Sequence, residues 1–388
     1  VSIFIDVHIV HSFPLSNLNR DYYGSPKVAV YGGVERGRIS SAALKRGSRT
    51  EIEKFLGDKA LRTRRVPGQV AAELEARGWT AEEAAEAGRN VALAAGVGGL
   101  GIEEAGTTNV MLYLPAAAIG ALADLVEEQR TQIDAAAKGA LAEAKAGKSK
   151  KTKTKADREI AKRIQEVLAT RNASIAAFGR MLANAPEVTV DGAISVAHAI
   201  TTHATEEQSD FFTAVDDVPG DDNGSAHMGH GAYTSGSFYK YSSISLDGLL
   251  TNLGHDRDAA RELVRAYLAE FAVHVPRAKK NSTAPFTPPA LAYVTVRSDR
   301  PVSLAGAFEA PVVADESTGW TSPSIKQLDE HAQAVNAFFG PEPVIAAAYT
   351  GTAAGLASLT ALGRHIPQLS DLAETITTAA FDAAEDPK

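Results

Sequence analysis

The first ten residues restrict the kind of core this chain can build. Between Ser2 and Val10, Ile3, Ile5, Val7 and Ile9 fall on one side, and Phe4, Asp6, His8 and Val10 on the other. Side chains alternate along an extended chain, so this period of two marks a β-strand and predicts a sheet from the outset. The second side is mixed polar and aromatic, and it need not be buried. The Ser-, Pro-, Asn- and Gly-rich stretch from His11 to Lys27 reads as a loop, followed by a short strand, Val28 to Tyr31, that Gly32 and Gly33 end. Residues 69–95 and 116–182 have helical composition. Between them Thr108 to Leu114 is a short extended piece, and residues 145–156 interrupt the second block as a solvated loop. β character returns from Val188 to Val196. Residues 216–237 read as a long loop or hairpin arm, and Phe238, Tyr239, Tyr241 and Ile244 begin another strand. Ala259 to Val273 is an amphipathic helix and Leu291 to Val296 a strand. This order predicts an α+β fold with large insertions in its connections, for which β-α-β-β-α-β is one candidate core.

Composition narrows the chemistry. The chain has no cysteine, which excludes disulfides, thiol nucleophiles and cysteine-ligated zinc or iron–sulfur sites and fits a reducing cytoplasm. The N-terminal apolar run contains Asp6 and His8 and lacks a basic flank, so it does not read as a signal peptide. Residues 344–363 are uncharged, but Thr350, Gly351, Thr352, Gly355, Ser358, Thr360 and Gly363 make them a small-residue packing segment rather than a membrane span. The net charge of −8 argues against a nucleic-acid partner until its distribution is considered. Residues 27–65 hold eleven Lys or Arg against four Asp or Glu, a local charge of +7, which leaves −15 on the rest of the chain. Such segregation predicts one basic face on an acidic body.

Few motifs carry catalytic chemistry. GVGGLG at 96–101 matches the dinucleotide pattern, but an Ala-rich helix precedes it and an extended segment follows, the reverse of what phosphate binding needs. The pairs His8/His11, His198/His203 and His227/His230 lack zinc-like spacing, and no metal or cofactor site is expected. Asp216/Asp217 and Asp221/Asp222 read as a solvated loop face. The basic cluster says more: Lys27, Arg36, Arg38, Lys45, Arg46 and Arg49 surround Ser40 and Ser41, which stand at a predicted helix start. Lys45 and Arg49 share one helix face. A helix start can offer N–H groups and hydroxyls to phosphate, although a solvated basic helix fits the charge equally. A second block, Lys145, Lys148, Lys150, Lys151, Lys153 and Lys155, reads as a solubilising loop or a weak attraction to a nucleic-acid backbone.

These segments resemble a known family. The strand Phe4–Val10, then Leu18-Asn19-Arg20-Asp21, then Gly32-Gly33 with Arg36, Arg38 and Ile39-Ser40-Ser41 ahead of Leu44-Lys45-Arg46, are similar to the opening of the CasC subunits of type I-E CRISPR Cascade. Gly179-Arg180-Met181, DGAISVAHAITTH at 191–203, FTAVDD at 212–217, Ser225-Ala226-His227, Phe238-Tyr239, Val275-Pro276 and Ala307-Phe308-Glu309 extend the resemblance across most of residues 2–310.

The resemblance implies an RRM-like (ferredoxin-like) palm with a helical fingers insertion and a β-hairpin thumb. The palm would comprise 1–59, 185–203 and 238–388, the fingers 60–184 and the thumb 204–237. It implies a cytoplasmic, non-catalytic subunit that polymerises along a crRNA, kinks it at regular intervals and presents its bases to a target DNA strand. Partners would be further copies of the chain, the large, small, 5′-handle-binding and 3′-hairpin-binding Cascade subunits, and a recruited helicase-nuclease, with no membrane. Carried over by position, Arg20, Lys27, Ser40, Ser41, Lys45, Arg46, Arg49, Arg180 and His203 would contact RNA, Met181 and Phe212 would wedge against bases at the kink, and Lys148, Lys150, Lys151 and Lys153 would attract DNA. Ala42 departs from the family's usual Gln after Ile-Ser-Ser. The rival reading is a metal-dependent RNase that uses the loop carboxylate Asp21.

Overall fold

The computed structural model describes residues 2–96, 100–146, 154–181, 188–214 and 227–385. Along the chain come β1 (Phe4–Ser16), β2 (Val28–Tyr31), β3 (Val34–Ile39) and α1 (Ser41–Leu56). A helical stretch follows: β4 (Ala60–Thr63), α2 (Val66–Ala76), α3 (Ala81–Ala94), β5 (Leu112–Pro115), α4 (Ala117–Ala146), α5 (Lys155–Ala169) and α6 (Ala173–Phe178). Then come β6 (Ile194–Val196), β7 (Ala199–Thr201), β8 (Gln208–Ala214), β9 (His227–Ser245), α7 (Leu246–Asn252), α8 (Arg257–Val273), α9 (Lys280–Thr283), β10 (Leu291–Arg297), α10 (Thr321–Phe339), β11 (Val344–Thr350), β12 (Arg364–His365) and α11 (Leu369–Glu385). Two compact units result. The first combines 1–52, 194–247 and 257–388; the second combines 53–193 and 248–256. Among the described residues no helix is long and apolar enough to cross a membrane, and residues 344–350 of the uncharged segment form β11.

The first unit is α+β, built on a mostly antiparallel sheet ordered β12-β11-β10-β1-β9-β7-β3-β2. β1 lies between β9 and β10, antiparallel to both, and runs six residues beyond the expected strand because Phe13 and Ser16 still pair with β9. Both of its sides are buried, which corrects the reading of the mixed side as free of that demand. One side packs toward α8, where the Tyr267 and Ser242 hydroxyls bond at 2.6 Å. The other is covered by the chain around Leu304, Phe308 and Leu328.

Polar groups on the covered side bond to one another and to the covering chain. Asp6 accepts the Tyr241 hydroxyl at 2.9 Å and the Val302 N–H at 2.8 Å. The Tyr239 oxygen accepts the Leu304 N–H at 3.0 Å and bonds with His8 Nδ1 at 2.8 Å, and burial keeps that imidazole neutral by lowering its pKa to about 3. On the opposite side Lys240 is fully buried at the C-terminal end of α8. Its ammonium donates to the carbonyls of Phe271, Ala272 and His274 and to His11 Nδ1. Burial pushes its pKa down to about 7, while the carbonyl end of the helix favours the charged form. Next to it α1 passes so close to His274 that a Cβ at Gly47 would lie 1.9 Å from His274 Nε2, so only glycine fits there.

The second unit is helical. Val70, Leu74, Val91, Leu122, Val126, Ile160 and Ile164 from α2 to α5 share one core, with the β4–β5 pair beside it. Thr80 caps α3, and Thr154 with Asp157 forms a reciprocal capping box at α5. The helical block is thus three helices, and α5 begins within the expected loop at Lys155. α3 precedes Gly96, and Ile102 pairs with Thr108 after it, so the glycine pattern lacks the strand-then-helix setting of a dinucleotide site.

Acid sensitivity follows from the buried imidazoles. Burial lowers His8, His11 and His274 from 6.5 to about 3, 2 and 4, and lowers His203 as well. Below pH 6.5 the unfolded chain therefore binds protons that the folded chain refuses, each histidine removing about 1.4 kcal/mol of stability per pH unit across its window. Asp6 opposes this, because burial raises it from 3.8 to about 6 and the folded chain gains one proton there. Four groups outweigh one, so the urea unfolding midpoint is expected to be lower at pH 5 than at pH 7. An equal or higher midpoint at pH 5 would contradict these burial assignments.

Candidate nucleic-acid interface

The basic residues of the first unit stand on a loop and a helix start that are tied to each other. Lys27 N–H donates to Asn19 O at 2.8 Å, Arg38 N–H to Lys27 O at 2.7 Å and Ser40 N–H to the Asn19 side chain at 2.9 Å. Asn17, buried, holds the loop from beneath through Gly24 O and Ala232 O, both at 2.8 Å. Arg20 faces Pro26 across the neck of the loop and is exposed. Lys45 and Arg49 are half-buried on α1 and Arg46 is exposed, with burial lowering the Lys45 pKa. The loop, the β3 end and α1 thus present Arg20, Lys27, Arg38, Lys45, Arg46 and Arg49 from one fixed frame.

Two N–H groups at the start of α1, expected to be open, are already engaged. Ser41 N–H donates to His198 Nδ1 at 3.1 Å and Ala43 N–H to Ser40 Oγ at 3.3 Å. His198 also lies 3.4 Å from an Arg38 nitrogen, which links β7's neighbourhood to the basic edge. The sequence reading weighed His198 only as half of a metal-like pair and missed this role, which its place one residue before the β7–β3 pairing gives it. Arg36, counted in the basic cluster, is fully buried and donates to the carbonyls of Tyr31, Thr201, Phe308 and Glu309. Of the basic residues counted between 27 and 65, Lys54, Lys59, Arg62, Arg64 and Arg65 belong to the second unit.

Asp21 turns inward on its own loop. One carboxylate oxygen accepts the N–H groups of Tyr23 at 2.8 Å and Ser25 at 3.0 Å. Among the described residues no group of three or more His, Cys, Asp or Glu is placed to hold a metal ion.

The hairpin arm is a ladder of seven pairs, Gln208–Ala214 against His227–Tyr233, and every β8 residue in it is exposed. A two-stranded ribbon of this kind buries little by itself, yet it carries Phe211, Phe212 and Met228 at the surface. Phe212 lies across the strand on Gly229, where a Cβ would come within 2.6 Å of its ring. Asp216, Asp217, Asp221 and Asp222 fall outside the described residues, as does the side chain of His227.

The family model of CT1975-like protein matches residues 5–375. The chain belongs to the CT1975-like family. One solved chain of an assembly described as a CRISPR RNA-guided surveillance complex, pre-nicking, is 41% identical, with a TM-score of 0.86, covering 97% of this chain and 100% of that one. A second, from a CRISPR RNA-guided surveillance complex, is 36% identical with a TM-score of 0.75, covering 97% and 99%. No curated protein matches the chain.

In this CT1975-like protein two residues that the resemblance puts on RNA are buried. His203 stacks on Trp320 at 3.7 Å and 7°; its Nδ1–H donates to Ala204 O at 2.7 Å and its Nε2 accepts the Ser237 N–H at 3.1 Å. Both nitrogens are thereby used in fastening the root of the arm. In the second unit Arg180, 6% exposed, donates to the carbonyls of Val188, Tyr113, Leu168, Thr170 and Ala169. The neighbouring Met181 is 82% exposed. Arg180 thus gathers the carbonyls at the end of α5 with those of Tyr113 and Val188. Lys148, Lys150, Lys151 and Lys153 lie outside the described residues.

Replacing Arg180 by Met strands five carbonyls, and the variant is expected to lose about 3 kcal/mol of unfolding free energy. Urea unfolding checks this. A variant that unfolds like the wild type yet binds RNA more weakly would make Arg180 a direct RNA ligand instead.

Proposed function

We propose that this chain is a non-catalytic crRNA-binding backbone subunit of a type I-E Cascade surveillance complex. It polymerises along the guide, kinks it and leaves its bases open to a target DNA strand. Full-length similarity to chains of CRISPR RNA-guided surveillance complexes carries the reading. The strand order β10-β1-β9-β7, with α1 in one crossover and α8 in the other, supports an RRM-like palm. The second unit supports the fingers, although its bounds of 53–193 are wider than 60–184, and the β8–β9 ribbon supports the thumb. The expected partners are crRNA, target DNA, further copies of the chain, the other Cascade subunits and a helicase-nuclease.

The geometry favours a backbone grip over base readout. Aromatic residues on the central strands, His8, Tyr239, Tyr241 and Tyr293, stack on one another at 5.2–6.2 Å around His8. The chain from Val302 to Leu328 covers them, so they offer no open platform for bases. Cations on the pinned loop and α1 remain at the surface. Phosphate contacts hold any guide alike and leave sequence recognition to base pairing.

The double variant Lys45→Ala/Arg49→Ala is expected to weaken binding equally across guide sequences. It should also lower the slope of log affinity against log salt by about 1.4, given roughly 0.7 per phosphate contact on a single strand. A loss confined to some sequences would contradict the grip.

The RNase reading needs Asp21 to release the N–H groups of Tyr23 and Ser25. Assembled complex incubated with complementary RNA and magnesium is expected to leave that RNA intact. Regularly spaced cuts that Asp21→Ala abolishes would establish the RNase instead.

A further inference from the structure

The loop that carries Arg20 and Lys27 ends in two aromatic rings with nothing against them but each other. Tyr22 is 95% exposed and Tyr23 89%, far more than most large apolar side chains of the chain. Their ring centroids are 5.4 Å apart at 87°, so each leaves a flat face to solvent. The backbone beneath is fixed. Asp21 Oδ1 holds the N–H groups of Tyr23 and Ser25, Asp21 N–H donates to Ser25 O at 2.8 Å, Arg20 and Pro26 pair across the neck, and Asn17 anchors Gly24 O. Rings on a pinned turn lose little further backbone freedom when a ligand arrives.

We propose that Tyr22 and Tyr23 form a stacking platform for an unpaired nucleobase of the RNA whose phosphates Arg20 and Lys27 hold. This rests on the backbone-grip reading and adds a base contact that the cationic residues cannot make. Three observations favour a nucleobase over a protein surface. The rings stand at the tip of a loop whose neck carries two cations, Arg20 paired with Pro26 and Lys27 bonded to Asn19. The one carboxylate of the tip, Asp21, is engaged with backbone N–H groups. The perpendicular rings offer separate flat faces, not a continuous apolar patch. Stacking on tyrosine tolerates any base, which suits a subunit that must hold guides of every sequence. The platform also gives a physical role to the Asp21 turn: it aims the rings.

The test uses the full chain bound to single-stranded RNA carrying 4-thiouridine, irradiated and mapped by mass spectrometry, beside affinity measurements. Crosslinks at Tyr22 or Tyr23 are expected. Tyr22→Ala/Tyr23→Ala should weaken binding about 5- to 100-fold without changing the salt slope, while Tyr22→Phe/Tyr23→Phe stays within about twofold of the wild type. If neither tyrosine crosslinks and the Ala variant binds like the wild type while Lys45→Ala/Arg49→Ala still weakens binding, the platform fails and the backbone grip stands. Loss of self-association by the Ala variant at unchanged RNA affinity would make the rings a contact for a second copy and overturn the proposal. A wild-type chain that binds no RNA overturns both.

Discussion

Burying β1 on both sides imposes a demand that the first unit must meet everywhere near it. The strand brings Asp6, His8 and His11 into the interior, and each needs a partner there. Asp6 takes Tyr241 and Val302, His8 takes the Tyr239 hydroxyl, and His11 donates to Thr287 O at 2.6 Å while accepting from Lys240. Those partners lie on β9, on the chain before α10 and on the chain before β10. Satisfying three polar groups therefore fixes the strand order and both covering layers at once.

The same strand delivers the loop that the proposed RNA grip uses. Asn17 and Asn19 follow β1 directly, and their amides tie the loop to Ala232 and to Ser40 at the start of α1. α1 is then seated by the contact of Gly47 with His274, which leans on the Lys240 clamp at the end of α8. The cations of the loop and helix are positioned by buried polar groups, not by one another. The proposed grip would then have its spacing set by the fold before RNA arrives.

Much of this was legible in the sequence, and the failures have physical causes. The alternation of Ile3, Ile5, Val7 and Ile9 located β1, and helical spacing located α8. The length of β1 was not legible, since Pro14 and the serines around it read as a loop until β9 pairs with them. Burial of Asp6 and His8 was hidden because their partners lie over two hundred residues away. Arg36, Arg180 and His203 look like ligands by charge and motif. Only the fold shows that carbonyls and a neighbouring N–H use their hydrogen-bonding groups. β11 went unread, since an uncharged Ala-rich segment carries little periodicity, and α10 and α11 went unread although their apolar residues recur at helical spacing.

The path of RNA across the first unit tests the account most directly. A structure of the chain in its assembled complex with guide RNA is predicted to show phosphates within about 4 Å of Lys27 and Lys45, with the strand passing the exposed rings of the arm. RNA lying elsewhere on the chain, with Lys27 and Lys45 facing solvent, would contradict it.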